Sequence, residues 1–388
     1  MDPSTVVVLA DDLTSAADGA VPFRRSGHPA LVLFEPPKAP GGGGGFTDVG
    51  VTAVDLGTRL VDATEAADRT RRAAEAYAGA GLLLKTVDST LRGHVAAELR
   101  AALAGSGRRA AVVAPAFPAE GRTTVRGVQY VRGVRVDASE FARDPAHPVR
   151  TADLTRLLPE STVVEPERLA ELLPHGGVFV CSAATDEELD AVAAAVPRPE
   201  DVLWVGSPGL AAALARRHGR DPAADFPELP PVRRPLAVVG SANPASRRQL
   251  AALYERSGAE GAVADDPAAA VAALSASSAP LLAVHTPDAR GADPAALTRR
   301  LAEAAAEAVG KGLADGLVLT GGETAAAVLR ALGATGIELY DEPEPGIARG
   351  TLHGPTAPRL PVLIKAGGFG DDTTLVRLCG LLGTGADR

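Results

Sequence analysis

A chain of 388 residues, 46% apolar and 22% charged, can bury a sizeable core in two or three domains and has the balance of an ordinary soluble protein. A formal net charge of −9 argues against a general nucleic-acid or membrane-surface role, though not against small anionic ligands, which local clusters decide. Cys181 and Cys379 fit no metal-ligand spacing and no disulfide framework, no apolar run reaches a membrane span, and the acidic start Met1-Asp2-Pro3 is no signal peptide, so the cytoplasm is the expected compartment.

Taken in order, Thr5 to Leu9 predicts a first strand that ends in Ala10-Asp11-Asp12-Leu13-Thr14-Ser15. Two adjacent carboxylates there can hold Mg²⁺, act as a base or receive substrate hydroxyls, and Thr14 or Ser15 can cap the helix that follows. Ala30 to Phe34 reads as a second strand. Pro36 to Gly45, with five consecutive glycines, reads as a mobile surface loop, because no Lys-Ser/Thr follows the glycines and no helix opens there. Gly50 to Asp55 predicts another strand and Asp62 to Ala80 an amphipathic helix.

The apolar run Leu82 to Leu84 then predicts a buried strand that runs into Lys85, Asp88, Ser89, Thr90 and Arg92. After Gly93 the pattern turns helical on Val95, Leu99 and Leu103, with Glu98 on another face. Such a loop reads either as a capped turn with a solvated salt bridge or as ligand chemistry at the carboxyl edge of a sheet, where open α/β sheets bind. Arg109 to Val113 is a further strand, followed by Ala114-Pro115-Ala116-Phe117-Pro118. Val125 to Asp137 alternates at period two with glycines, which predicts a β-hairpin. Strands at Val178 to Val180, ending in Cys181-Ser182, and at Val202 to Val205 complete this half, and Trp204 reads as core. The prolines between Asp221 and Pro235 mark a linker.

Beyond it one device occurs three times: strand, turn of small residues, helix. The turns are Gly240-Ser241-Ala242-Asn243-Pro244-Ala245-Ser246, Thr320-Gly321-Gly322-Glu323-Thr324 and Lys365-Ala366-Gly367-Gly368-Phe369-Gly370-Asp371-Asp372. Each lets backbone approach a ligand beside free helix N–H groups, so three together point to a nucleotide. None is a Walker A loop, and no Gly-x-Gly-x-x-Gly opens a first βαβ unit, which disfavours a dinucleotide dehydrogenase. The expected fold is α/β with two domains, each a largely parallel sheet flanked by helices: residues 1–220, a linker over 221–235, and residues 236–388. Of the 39 Lys and Arg residues only Lys38, Lys85, Lys311 and Lys365 are lysine, and two of these stand at strand ends.

Six segments, in order and across essentially the whole chain, resemble the four-carbon acid sugar kinase family: Ala10-Asp-Asp-Leu-Thr, Lys85-Thr-Val-Asp-Ser-Thr-Leu-Arg-Gly, Ala114-Pro-Ala-Phe-Pro with Gly121-Arg-Thr-Thr, Gly240-Ser, Gly321-Gly-Glu-Thr and Lys365-Ala-Gly-Gly-Phe-Gly. The resemblance implies ATP-dependent phosphorylation of the terminal hydroxyl of a four-carbon sugar acid, such as 3-oxotetronate, threonate or erythronate. It also implies a sugar-acid-binding N-terminal domain and a nucleotide-binding C-terminal domain. By matching position, ATP contacts fall on Ser241, Gly321, Gly322, Glu323, Thr324, Gly367 and Gly368, and substrate contacts on Asp11, Asp12, Lys85, Asp88, Ser89 and Arg92.

Phosphoryl transfer needs positioning and charge neutralisation, so Lys85 and Arg92 suit the substrate carboxylate, and Mg²⁺ would bridge phosphates with one or two carboxylates, left unassigned. Asp12, Asp88 and Asp371 are the candidate bases, Asp12 first. The chain departs from the family pattern at Ser15, Ala17, His94 and Ser182. The alternatives are a kinase of another small hydroxy acid or a non-catalytic nucleotide- or sugar-acid-binding protein. An exposed face on the N-terminal sheet would support a homodimer.

Overall fold

The computed structural model describes residues 5–35, 50–144, 147–220, 229–240, 243–287, 293–344, 346–355 and 359–383. The glycine-rich loop read from the sequence, Ser241 and the first part of the linker lie outside the described residues. The chain divides into two compact units, Met1–Ala224 and Asp225–Arg388. No described helix is long and apolar enough to cross a membrane.

The first unit runs β1 (Val6–Ala10), α1 (Leu13–Arg25), β2 (Ala30–Leu33), β3 (Val51–Asp55), α2 (Ala63–Ala76), β4 (Leu82–Thr86), α3 (Val95–Ser106) and β5 (Ala110–Ala114). A small antiparallel sheet follows: β6 (Arg122–Val125), β7 (Val128–Val131) and β8 (Val134–Arg135). Then come α4 (Leu154–Leu157), β9 (Ser161–Val163), α5 (Leu169–Leu172), β10 (Gly177–Val180), α6 (Asp186–Ala194), β11 (Val202–Gly206) and α7 (Pro208–His218). The main sheet has the order β2-β3-β1-β4-β11-β5-β10-β9 with every neighbouring pair parallel.

Every residue of β1, β3, β4, β5 and β11 is buried, which is why these strands read as continuous apolar runs rather than as alternation. One face carries Val7, Leu9, Leu83, Val113, Leu203 and Val205 against Ala73 and Ala74 of α2 and Leu99 and Ala102 of α3. On α1 the small residues Ala16, Ala17, Gly19 and Ala20 are all buried, and a methyl on Gly19 would sit 2.8 Å from Val8 Cγ1. The central strands therefore offer no open face. This corrects the expected exposed face for a dimer: helices cover the sheet on both sides.

From β1 the chain builds β2 and β3 on one side and β4 on the other, so β1 stands at a switch in strand order. In such sheets the turns leaving neighbouring strands at the switch diverge and open a crevice.

The second unit runs β12 (Pro235–Val239), α8 (Pro244–Ser257), β13 (Glu260–Val263), α9 (Pro267–Ala276), β14 (Leu282–His285), α10 (Pro294–Gly310), β15 (Gly316–Thr320) and α11 (Gly322–Ala331). β16 (Gly336–Glu344), β17 (Ile347–His353), β18 (Pro361–Lys365) and α12 (Thr374–Gly383) complete it. Its order is β13-β14-β12-β15-β18-β17-β16, parallel from β13 to β18 and antiparallel from β18 to β16. The antiparallel pair has no counterpart among the elements expected from the sequence. The three repeated turns leave β12, β15 and β18, which are consecutive neighbours.

Trp204 is fully buried in β11, between β4 and β5. Trp204→Ala leaves a large cavity there and is expected to cost about 3–5 kcal/mol, read as a fall in the urea midpoint of the unit.

Candidate active site

At the carboxyl edge of the first sheet, β1, β3 and β4 deliver three turns side by side. The β1 turn brings Asp11 and Asp12, the β4 turn brings Asp88 and Arg92, and the β3 turn brings Arg59. The β3 turn is docked by backbone: the N–H groups of Thr58 and Arg59 donate to the Asp11 carbonyl at 2.9 and 3.1 Å.

Arg59 is the hub. Its Nε donates to Asp11 Oδ2 and its Nη2 to Asp11 Oδ1 at 2.9 Å. Nη2 also lies 3.2 Å from Asp12 Oδ2, and Nη1 lies 3.6 Å from Asp88 Oδ2. Burial alone would raise the Asp11 pKa. The Arg59 charge and hydrogen bonds outweigh it, with Lys85 adding to them, and hold the carboxyl down at about 2. Burial likewise disfavours the Arg59 cation, but Asp11, Asp12 and Asp88 together push its pKa up.

The three carboxylates differ in access. The Asp11 side chain is 4% exposed, Asp88 9% and Asp12 28%. Asp12 caps α1, its Oδ1 accepting from Ser15 N at 2.7 Å and Thr14 Oγ1 at 2.9 Å, while its Oδ2 faces the Arg59 guanidinium. Asp88 accepts from the Thr90 N–H and hydroxyl, both at 2.8 Å, and from Arg92 Nε at 2.6 Å. Arg92 lies over the Phe141 ring and reaches Asp144 Oδ2 at 3.4 Å.

The β4 turn is held in an unusual backbone. Leu91 has φ 63° and Gly93 φ 88°, and a side chain at Gly93 would begin 3.2 Å from Asp11 Oδ2. The small sheet anchors this turn, since the buried Gln129 of β7 donates to the Ser89 carbonyl at 2.7 Å. His94 Nε2 donates to the Val61 carbonyl at 2.7 Å, and His147 Nε2 to that of Arg59.

Lys85 is placed differently from the expectation of an open carboxylate ligand. It is fully buried, paired with Glu98 Oε2 at 2.9 Å and donating to the Thr86 carbonyl at 2.7 Å. Of the four departures, Ser15 Oγ lies 3.4 Å from Arg59 Nη2, Ala17 is buried in α1, His94 braces the Arg59 turn, and Ser182 Oγ accepts from Gly127 N at 3.2 Å.

In the second unit the neighbouring turns interlock. A methyl on Gly240 would collide with Thr324, and one on Gly368 would sit 3.3 Å from Asn243 Nδ2, the cap of α8. Gly321, at φ 99°, opens α11, whose first turn carries Gly322, the exposed Glu323 and the buried Thr324. Gly367 and Gly368 lie in a turn tied from beneath by Lys365, which donates to the carbonyls of Ala366 at 2.8 Å, Phe369 at 3.0 Å and Gly367 at 3.4 Å. Burial pulls this ammonium down to about 8. Ser246 and Gln249 of α8 donate to the same turn.

Asp371 stands apart from that floor. It is exposed, accepts from the Thr373 N–H and hydroxyl at 2.8 and 2.7 Å, and pairs with Arg377 at 2.9 Å. Those bonds draw its pKa down and brace the turn that leads into α12. Among the described residues no group of three or more His, Cys, Asp or Glu is arranged to hold a metal ion.

Two α/β units, one with a carboxylate–guanidinium edge and one with three helix-opening turns, place the chain in the class of two-domain small-molecule kinases. Residues 6–214 match the family model described as a sugar-binding N-terminal domain, and residues 236–375 match the nucleotide-binding C-terminal domain. The chain belongs to the four-carbon acid sugar kinase family. A D-threonate kinase of Bordetella bronchiseptica is 38% identical over 95% of each chain. A D-erythronate kinase of Heliobacterium modesticaldum is 30% identical over 95% of this chain and 94% of its own. A 3-oxo-tetronate kinase of Methylobacterium radiotolerans is also 30% identical, over 93% and 95%. Among solved structures, a Haemophilus influenzae protein superposes with TM-score 0.77 at 22% identity over 97% of this chain and all of its own, which speaks to fold alone. A Bordetella bronchiseptica protein, crystallised with citrate as a domain-swapped dimer, is 35% identical with TM-score 0.51 over 97% and 98%.

Asp11, Asp12, Asp88, Ser89 and Arg92 are thus gathered at one edge as expected, with Lys85 beneath them and Arg59 added. Arg59 was missed because its turn, Leu56-Gly57-Thr58-Arg59-Leu60-Val61, carries no motif. The one available signal was an arginine just past a strand predicted to lie in the same sheet as the Asp-Asp turn. The Asp11 carboxyl lies below its ordinary 3.8, so the stabilisation from its pairing is complete above about pH 4 and drains away as pH falls toward 2. Arg59→Lys, which keeps a charge and loses the fork, is expected to raise the Asp11 pKa and flatten that acid slope, read by NMR titration of the aspartate carboxyls and by acid unfolding.

Proposed function

We propose that the chain transfers the γ-phosphoryl group of ATP to the terminal hydroxyl of a four-carbon sugar acid, with D-threonate as the preferred substrate. What carries this reading is the placing of three small-residue turns on the consecutive strands β12, β15 and β18, each opening a helix or feeding one, in a unit of the nucleotide-binding family. The choice of acid is supported by relatives named D-threonate kinase at 32–38% identity, against 30% or less for those named for erythronate or 3-oxo-tetronate.

In this mechanism the first unit, over about residues 1–220, binds the acid, and the second, from residue 236, binds MgATP. Gly321, Gly322, Glu323, Thr324, Gly367 and Gly368 line the nucleotide, with Ser241 a further contact. Mg²⁺, needing at most one or two protein carboxylates beside the nucleotide, would supply charge neutralisation there. Arg92, held flat by Asp88 and Phe141, takes the substrate carboxylate through its open edge. Asp12 is the base: of the three carboxylates it is the most exposed, and its Oδ2, beside Arg59 Nη2, accepts the hydroxyl proton. Asp11 and Asp88 fix Arg59 and Arg92 and orient the substrate with Ser89. Lys85 acts from beneath, by its field on Asp11 and by tying β4 to α3 through Glu98, and Asp371 shapes the entry to α12. The enzyme works in the cytoplasm and assembles as a homodimer, as the domain-swapped relative does.

The test is ATP consumption with Mg²⁺ against D- and L-threonate, D- and L-erythronate and the 2-oxo and 3-oxo tetronates. Fastest turnover on D-threonate supports the reading, another C4 acid corrects the substrate, and ATP binding without any turnover selects the non-catalytic alternative. Asp12→Asn is expected to lower kcat roughly 10²-fold or more with the fold intact, measured in the same assay. Gly322→Val is expected to raise the KM for ATP and leave that for the acid unchanged.

A further inference from the structure

Lys365, the last residue of β18, sits in the surroundings of a bound ion rather than of an ion pair. Its side chain is fully buried, and among the described residues no carboxylate pairs with it. What surrounds Nζ is backbone: the carbonyls of Ala366 at 2.8 Å, Phe369 at 3.0 Å and Gly367 at 3.4 Å, three acceptors for the three N–H bonds of an ammonium. Burial draws its pKa down to about 8, still above neutrality, so the cation persists at pH 7 on carbonyl dipoles.

Those carbonyls are also held from α8. Ser246 Oγ donates to the Gly367 carbonyl at 2.7 Å, and Gln249 Nε2 to that of Phe369 at 3.0 Å. The carbonyls of Ala366, Gly367 and Phe369 therefore all turn inward, toward Lys365. Among the described residues every peptide is trans, and a planar trans peptide points its N–H away from its C=O. Turning these three carbonyls in thus turns the N–H groups of Gly367, Gly368 and Gly370 out, and among the described residues nothing in the protein accepts from them. Such a row of outward N–H groups is an anion cradle.

The same lysine reaches the neighbouring turn, because its own carbonyl accepts from Gly321 N at 2.9 Å, where α11 opens. Without a cation, carbonyl oxygens converging on one point repel, the peptides are free to rotate, and each rotation withdraws an N–H from the outer side. Carbonyls arranged in this way can replace the hydration shell of a monovalent cation.

We propose, on the nucleotide reading of this unit, that Lys365 is a tethered monovalent cation and a positioning residue for ATP. Its ammonium fills a ring of carbonyls that would otherwise take a free potassium or ammonium ion, and by holding them inward it presents the N–H groups of Gly367, Gly368 and Gly370 to the phosphates. Lys365 lies beneath the turn and acts through it.

Isothermal titration of the full chain with MgATP in a tetramethylammonium buffer, with and without added potassium or ammonium ion, tests this on three proteins. The native chain is expected to bind equally in every buffer, because its ring is already filled. Lys365→Ala empties the ring, so its ATP affinity falls about tenfold or more in tetramethylammonium and recovers when either small ion is added. Lys365→Met fills the space without charge and shows the loss without the recovery. In the kinase assay the loss falls on the KM for ATP and leaves that for the acid unchanged. Native affinity in Lys365→Met, or a folded Lys365→Ala whose loss neither ion restores, overturns the proposal. If Lys365→Ala does not fold in tetramethylammonium, its melting temperature decides: a rise with potassium or ammonium that the native chain lacks supports the tethered cation, and no rise overturns it. A native chain that binds no ATP refutes the nucleotide reading instead, and the ion-dependent melting of Lys365→Ala still reports whether the ring takes a cation.

Discussion

Three carboxylates, Asp11, Asp12 and Asp88, stand at the ends of adjacent parallel strands and repel one another, and burial alone would push Asp11, the most enclosed of them, toward taking up a proton. The Arg59 guanidinium prevents this. It reaches all three acids, forms a two-pronged contact with the most buried one, and arrives on a turn whose backbone is pinned to the Asp11 carbonyl. The rest of the edge follows from that neutralisation. With Asp11 held as an anion beside Lys85, Asp12 is left to cap α1 and Asp88 to hold Arg92.

The two units solve the same architectural problem with different groups. Each has a strand order that reverses and turns that diverge at the carboxyl ends of neighbouring strands. In the first unit the edge is filled with side chains, acids and guanidiniums bound to each other. In the second it is filled with backbone, and the polar side chains Ser246, Gln249 and Lys365 lie behind the turn, donating to its carbonyls. An edge of side chains suits a small polyhydroxy acid, whose hydroxyls need several directed partners. An edge of glycines and helix starts suits phosphates, which need close approach and N–H groups.

Much of this was legible in the sequence because buried parallel strands are unbroken apolar runs and the turns after them carry the chemistry. Val6 to Ala10 and Leu82 to Thr86 are of that kind, and their turns hold Asp12 and Asp88. What was not legible depends on pairing at a distance. Arg59 sits 48 positions from Asp11 in an unremarkable turn, and Gln129 holds the Ser89 carbonyl from a hairpin 40 positions on. The sequence showed Lys85 at a strand end, but only the fold shows that Glu98 has already claimed it. Asp371 follows a glycine-rich turn, but its bonds to Thr373 and Arg377 are visible only in the fold. The antiparallel strands β16 and β17 escaped because Asp341, Glu342 and Pro343 break the apolar pattern, and they enter the sheet through a bulged register.

Lys85 and Lys365 also bear on how far the composition of this chain can drift. Lysine is scarce in this chain: only four stand among 39 Lys and Arg residues. At the two strand ends the ammonium is fully enclosed, against Glu98 and one carbonyl in the first unit and within a ring of carbonyls in the second. A planar guanidinium is larger and directs its donors in one plane, so it cannot enter either enclosure without displacing the turn above. At these two positions the geometry calls for the compact ammonium, and the lysines mark where each sheet's edge is fixed from below.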